Sequence, residues 1–127
     1  MRNLIFVGIG GFVGAILRYS VSGWVQNISQ RADFPYGTVV VNITGCFLIG
    51  IMSQLIEMQF EVTPETRLLL MVGLLGSFTT YSTFGNETVT LLQDQRLFSA
   101  FMNVGLHLFL GLLAVILGRF AVAGLWR

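Results

Sequence analysis

Hydrophobic residues run in four long stretches, Asn3 to Leu17, Phe34 to Ile56, Leu68 to Asn86 and Leu97 to Gly118, with charged residues collected between them. A helix needs about 20 apolar residues to cross a bilayer, and each stretch approaches that length. The first reaches it by continuing through Arg18 to Trp24, with the arginine reaching toward the interface and Tyr19 and Trp24 seated there. The pattern predicts an all-α membrane protein: one domain of four transmembrane helices over residues 3–25, 37–57, 66–92 and 97–124. Met1-Arg2-Asn3 followed by an apolar run imitates a secretory leader. The run is rich in glycine, is followed by Arg18 and lacks a clear small-residue cleavage site, so it reads as a retained span.

The connections, residues 26–36, 57–67 and 93–96, leave no room for a soluble catalytic domain. Thr63-Pro64-Glu65 predicts the start of helix three, as a cap, a first-turn proline and an acid near the positive end of the helix dipole. Composition sharpens the picture: of 127 residues 54% are hydrophobic and 10% charged, against about 25% charged in soluble domains. That excludes a water-soluble domain. Seven basic residues against six acids give a net charge of +1, too little to hold nucleic acid by its phosphates. The single cysteine, Cys46, cannot build a disulfide framework or a thiol metal cluster within one chain.

Four spans put both ends of the chain on one side, with Arg2, Arg67, Arg119 and Arg127 there and Arg18, Arg31 and Arg96 opposite. Orientation follows the imbalance of basic residues between loops, and here almost none exists. Two readings stay open. Insertion in both orientations would allow an antiparallel dimer with its twofold axis in the membrane plane; the other is a single orientation fixed by other factors.

Candidate chemistry sits on all four helices. Helix one carries the small pairs Gly10/Gly14 and Gly11/Ala15, which let another backbone approach, and Arg18, either an interfacial anchor or an anion-attracting charge at the mouth of a vestibule. Helix two aligns Thr38, Asn42 and Gly45 on one stripe, with Cys46 and Gly50 forming another small-residue edge. The Asn42 amide either bonds a neighbouring helix or offers donors to a path. Helix three runs Gly76-Ser77-Phe78-Thr79-Thr80-Tyr81-Ser82-Thr83-Phe84-Gly85-Asn86-Glu87, a poor helix sequence that predicts a break around residues 76–80. Tyr81 and Phe84, three apart, can share a common space, and with Asn42, Ser82 and Thr83 they would form a donor-lined path without charge, suited to a small anion. Helix four aligns Ser99, Asn103, His107 and Gly111; the only histidine makes neither a metal site nor a catalytic triad and reads as bonded to a neighbour.

Three blocks, Gly10-Gly11-Phe12-Val13-Gly14-Ala15-Ile16-Leu17-Arg18-Tyr19, Gly37-Thr38-Val39-Val40-Val41-Asn42-Ile43-Thr44-Gly45 and Gly76 to Phe84, resemble the Fluc/CrcB fluoride channel family over nearly the full chain. The resemblance implies a dual-topology antiparallel homodimer in the inner (plasma) membrane of a microbe, with two pores that export fluoride passively and confer fluoride resistance. It implies that Asn42 is the pore amide, that Tyr81 and Phe84 turn ring edges to fluoride, and that Ser82, Thr83 and Glu87 continue the polar track. Arg18 would line the vestibule. A structural sodium at the dimer centre would be held by the main-chain carbonyls of Gly76 and Thr79. Two positions depart from the family: Tyr81 stands where phenylalanine is usual, and Gly111 and Val115 stand where helix-four hydroxyls are frequent.

Two other functions fit four short helices. A dual-topology small-molecule exporter of cations needs a carboxylate inside helix one, which has none. A noncatalytic membrane assembly subunit needs the glycine faces but not the hydroxyl-rich helix three. An enzyme is not expected, since no nucleophile, base and orienter come together in the sequence.

Overall fold

The computed structural model describes residues 1–31, 33–58 and 61–125. Four helices are long and apolar enough to cross a membrane: α1 (Arg2–Ser29), α2 (Tyr36–Glu57), α3 (Pro64–Gln93) and α4 (Leu97–Leu125). No strand occurs among the described residues, and Arg127, counted in the charge balance, lies outside them. Gln26 belongs to α1 rather than to a connection. Its side-chain amide donates to the carbonyls of Arg31 (2.7 Å) and Phe34 (3.0 Å) and accepts from the Gly37 N–H (3.2 Å), clamping the turn into α2.

Helix α3 starts as its sequence dictates. The Thr63 hydroxyl accepts from the Thr66 N–H at 3.2 Å, with Pro64 in the first turn where no N–H is needed. Over Leu68–Leu75 the helix widens into π turns, and Gly76–Phe78 returns to α geometry. Thr79 and Thr80 are then extended (φ −80°, ψ 155° and φ −149°, ψ 111°), and Tyr81–Gln93 resumes as a second half-helix. The break is therefore narrower than the composition predicts. Helix geometry holds through Gly76, Ser77 and Phe78, because the Thr79 N–H still reaches the Leu75 carbonyl at 3.1 Å and only Thr80 turns away. A second π segment, Leu106–Leu110, interrupts α4.

Glycine seams let the helices close on one another. A Cβ at Gly10 would lie 2.1 Å from the Leu69 carbonyl oxygen, and one at Gly14 would lie 2.2 Å from that of Leu74, so α1 rides backbone to backbone on the first half of α3. At Gly50 and Gly118 a Cβ would meet the Val115 and Phe47 carbonyl oxygens at 2.3 and 2.2 Å, which seats α2 against the end of α4. The second expected pair on α1 does not pack this way: the Cβ direction of Gly11 faces open space, and the residue contributes its carbonyl, which accepts from the Ser77 hydroxyl at 2.9 Å. Cys46 lies 3.6 Å from a Cβ at Gly111, so its edge also faces α4. Ion pairs close both ends of the bundle, Arg2 with Glu65 and Arg119 with Glu57 at one, Arg96 with Asp33 (3.3 Å) at the other.

The seams predict a contrast. Gly10→Val and Gly50→Leu force two backbones apart and are expected to lower stability by about 1–3 kcal/mol or more, whereas Gly8→Ala, with nothing within 4 Å of the new methyl, is neutral. Thermal unfolding of the three variants in detergent checks it.

Candidate functional site

The break in α3 determines the site. An unbroken helix would send the Thr80 N–H to the Gly76 carbonyl; instead it donates to Asn42 Oδ1 at 2.7 Å, and Asn42 Nδ2 donates back to the Thr80 carbonyl at 3.0 Å. One side-chain amide thus satisfies both main-chain groups of the residue that leaves the helix, in surroundings where an unpaired group is costly. The exchange releases the Gly76 carbonyl. Thr80 also starts the second half-helix, its hydroxyl accepting from the Thr83 N–H (3.3 Å) and donating to Thr83 Oγ1 (2.9 Å).

The α2 stripe lies in register with this break. Thr38 Oγ1 donates to Glu87 Oε1 at 2.6 Å, Asn42 holds Thr80, and a Cβ at Gly45 would lie 2.2 Å from the Thr79 methyl. A stripe on one helix therefore meets the break and the half-helix below it at three successive heights. The interhelical bond expected of Asn42 is present, and one amide hydrogen remains beyond it.

Two clefts meet at Thr80, which lines both. One, about 790 Å³, opens toward Asp33 and Arg96 and is walled by Arg18, Thr38, Thr83 and Glu87. The other, about 520 Å³, is walled by Asn42, Cys46, Gly76, Thr79, Tyr81, Phe84 and His107. Arg18 and Glu87 thus face one space, and Asn42, Tyr81 and Phe84 another. The Tyr81 and Phe84 rings lie with centroids 5.6 Å apart and tilted 54°. Tyr81 (84%), Ser82 and Thr83 are all exposed, and Ser82 lines neither cleft. Glu87 Oε2 is shut off from solvent without a partner.

Three features were not legible from spacing alone. Thr80, the hinge of the site, was one hydroxyl among many, although Thr80-x-x-Thr83 has the spacing of a cap. His107 packs on Phe84, with centroids 4.3 Å apart. Asn103 is fully buried, and its amide donates to Thr88 Oγ1 at 2.9 Å, which in turn donates to the Phe84 carbonyl at 2.8 Å. This chain of bonds fixes the half-helix against α4.

Among the described residues no three His, Cys, Asp or Glu side chains come together as a metal site. The hard oxygen donors that the break frees are main-chain carbonyls, a donor set that suits a small hard cation rather than a soft transition metal.

Known proteins resemble this chain over nearly its whole length. A family model described as CrcB-like protein, Camphor Resistance (CrcB), matches residues 5–119. The chain is 46% identical to "Fluoride-specific ion channel FluC 1" of Methanosarcina acetivorans, over 98% of this chain and 94% of that protein. It is 44% identical to "Fluoride-specific ion channel FluC" of Shewanella woodyi, over 94% of each. A FluC protein of the same name from Sulfurovum is 46% identical, over 91% of this chain and 89% of its own. Four membrane-spanning helices, a third helix broken at Thr79 and Thr80, and this likeness along nearly the whole sequence place the chain in the CrcB family.

Proposed function

We propose that this protein is a fluoride-selective channel, not an enzyme, that lets fluoride leave the cytoplasm passively across the inner (plasma) membrane. The observation that carries the reading is the near full-length match to relatives named fluoride-specific ion channels. The site supplies a physical account. Fluoride is small and strongly hydrated, so removing its water is prohibitive unless protein donors replace it. The remaining amide hydrogen of Asn42, the Ser82 and Thr83 hydroxyls and the positive ring edges of Tyr81 and Phe84 are such donors, none carrying a charge that would hold the ion too tightly. Arg18 would draw the anion into the wider cleft, where Glu87 and Thr38 continue the polar wall.

The working unit in this reading is an antiparallel homodimer with two pores. Gly76, Tyr81, Ser82 and Thr83 are exposed at mid-span, and polar, irregular backbone is tolerated in hydrocarbon only against protein or a wet cavity. A second copy inverted in the bilayer would cover that surface and, by symmetry, duplicate the path. The nearly even arginine distribution fits insertion both ways. At the dimer centre the carbonyls of Gly76 and Thr79 would hold a structural sodium, which would lock the two breaks together; the exposure of Gly76 and the release of its carbonyl fit that role. A cation exporter is not favoured, since α1 contains no carboxylate.

Purified protein in liposomes is expected to release fluoride rapidly, read with a fluoride electrode, while chloride stays in matched vesicles. No fluoride release from folded protein would reject the channel reading in favour of an assembly subunit. Asn42→Ala should slow release about tenfold or more, the cost of one lost hydrogen bond to an ion expressed as a rate, and Phe84→Ile, which removes a ring edge from the path, should slow it as well. Exchanging sodium for a large organic cation should weaken release over long incubation, and indifference would remove the sodium. Reporters fused to the C-terminus should appear on both membrane faces; a one-sided result would reject dual topology.

A further inference from the structure

The wider cleft carries charges of both signs. Two guanidinium groups, Arg18 and Arg96, and three carboxylates, Asp33, Glu87 and Asp94, line it, so the field that an approaching anion meets depends on which of them are paired. Arg96 and Asp33 stand 3.3 Å apart at the mouth, joining the start of α4 to the turn between α1 and α2. Arg18 has no ion pair among the described residues.

Both partners are held for this contact. Gln26 bonds the carbonyls of Arg31 and Phe34, on either side of Asp33, and Arg96 Nη2 donates to Ser99 Oγ at 3.5 Å. Apart from Asp33, Ser99 is the one side-chain partner of the guanidinium among the described residues, so most of its five N–H groups remain for the cleft. The Asp33 side chain is 59% exposed and that of Arg96 33%. Ion pairs as wet as this add little to stability and open readily, so the contact does little to hold the fold. It does change the field, because a paired charge acts as a dipole whose attraction fades faster with distance than that of a lone cation.

We infer that Arg96 captures fluoride at the mouth of the wider cleft and that Asp33 is a tethered competitor for it, a carboxylate that occupies the guanidinium until an anion arrives and returns when the anion moves on. This rests on the fluoride-channel reading. A bare guanidinium with most of its donors unused would hold an anion long, whereas conduction needs binding strong enough for entry and weak enough for departure. Asp33 touches no permeating ion and acts through Arg96, which makes it a positioning residue. Arg96 sets how often an anion enters, and Asp33 sets how readily it is let go.

Single-channel current at about 10 mM fluoride, with and without about 0.3 M of an impermeant organic salt, tests the inference, because the added salt cuts the reach of these charges from about 30 Å to under about 8 Å. At low salt Asp33→Asn is expected to raise the current about two- to threefold and Arg96→Gln to lower it by a similar factor. Arg96→Lys, which keeps the charge, should stay near wild type. Added salt should bring Asp33→Asn and Arg96→Gln close to the wild-type current, which also shows that both variants fold. In the double variant the gain from Asp33→Asn should vanish, since the group it frees is gone. A gain that persists beside Arg96→Gln would overturn the inference, as would currents that neither substitution changes or that both substitutions reduce equally at the two salt levels; each of these leaves the channel standing. No fluoride current from the wild-type protein at either salt level would overturn the channel reading and the inference with it.

Discussion

The pair of hydrogen bonds between the Asn42 side chain and the main chain of Thr80 is the interaction on which the site depends. A helix broken inside a bilayer exposes groups that water cannot reach, and an unpaired amide or carbonyl there costs several kcal/mol. A primary amide carries one acceptor and two donors, so it can replace the bonds on both faces of one peptide residue and still offer a hydrogen to the cleft. A hydroxyl or a carboxylate at residue 42 could not do all three.

Once that clamp is set, much of the surrounding geometry follows. Thr38 and Gly45 lie one turn either side of Asn42 and meet Glu87 and Thr79, so α2 is fixed in register against both halves of α3. The register survives because the glycine seams hold α1 on the first half of α3 and α2 on the end of α4 at backbone contact. The second half-helix, which has no such seam, is held by the Thr80 cap and by the bond from Asn103 through Thr88 to Phe84. Exposure of Gly76, Tyr81, Ser82 and Thr83 leaves the polar side of the break facing outward, and a single chain in hydrocarbon would be incomplete there.

Much of this is legible in the amino-acid sequence. Four apolar runs specify four spans because the bilayer imposes a length, and the Thr63-Pro64 start follows from local capping chemistry alone. The glycine and hydroxyl content around residues 76–83 weakens the helix, and the helix does break there. The stripe of Thr38, Asn42 and Gly45 follows from helical periodicity. Its partners do not, since the bonds to Glu87 and Thr80 join residues 49 and 38 positions apart. The same limit hid the contact of His107 with Phe84 and made Gly11 look equivalent to Gly10, although only one of them turns its α-carbon toward α3.

The sequence by itself determined the class of solvent, the number of the helices and the region where α3 fails, because each depends on residues within a few turns of one another. Tertiary structure decided that the failure falls at Thr79 and Thr80 rather than at Gly76, because only an amide on a neighbouring helix could compensate the lost bonds, and it stands at that height. It also decided which nitrogen of His107 is bonded, through a carbonyl on its own helix, and which ring on another helix the imidazole packs against. Local propensity sets where a chain can bend; which residue gives way depends on which neighbour can replace its hydrogen bonds.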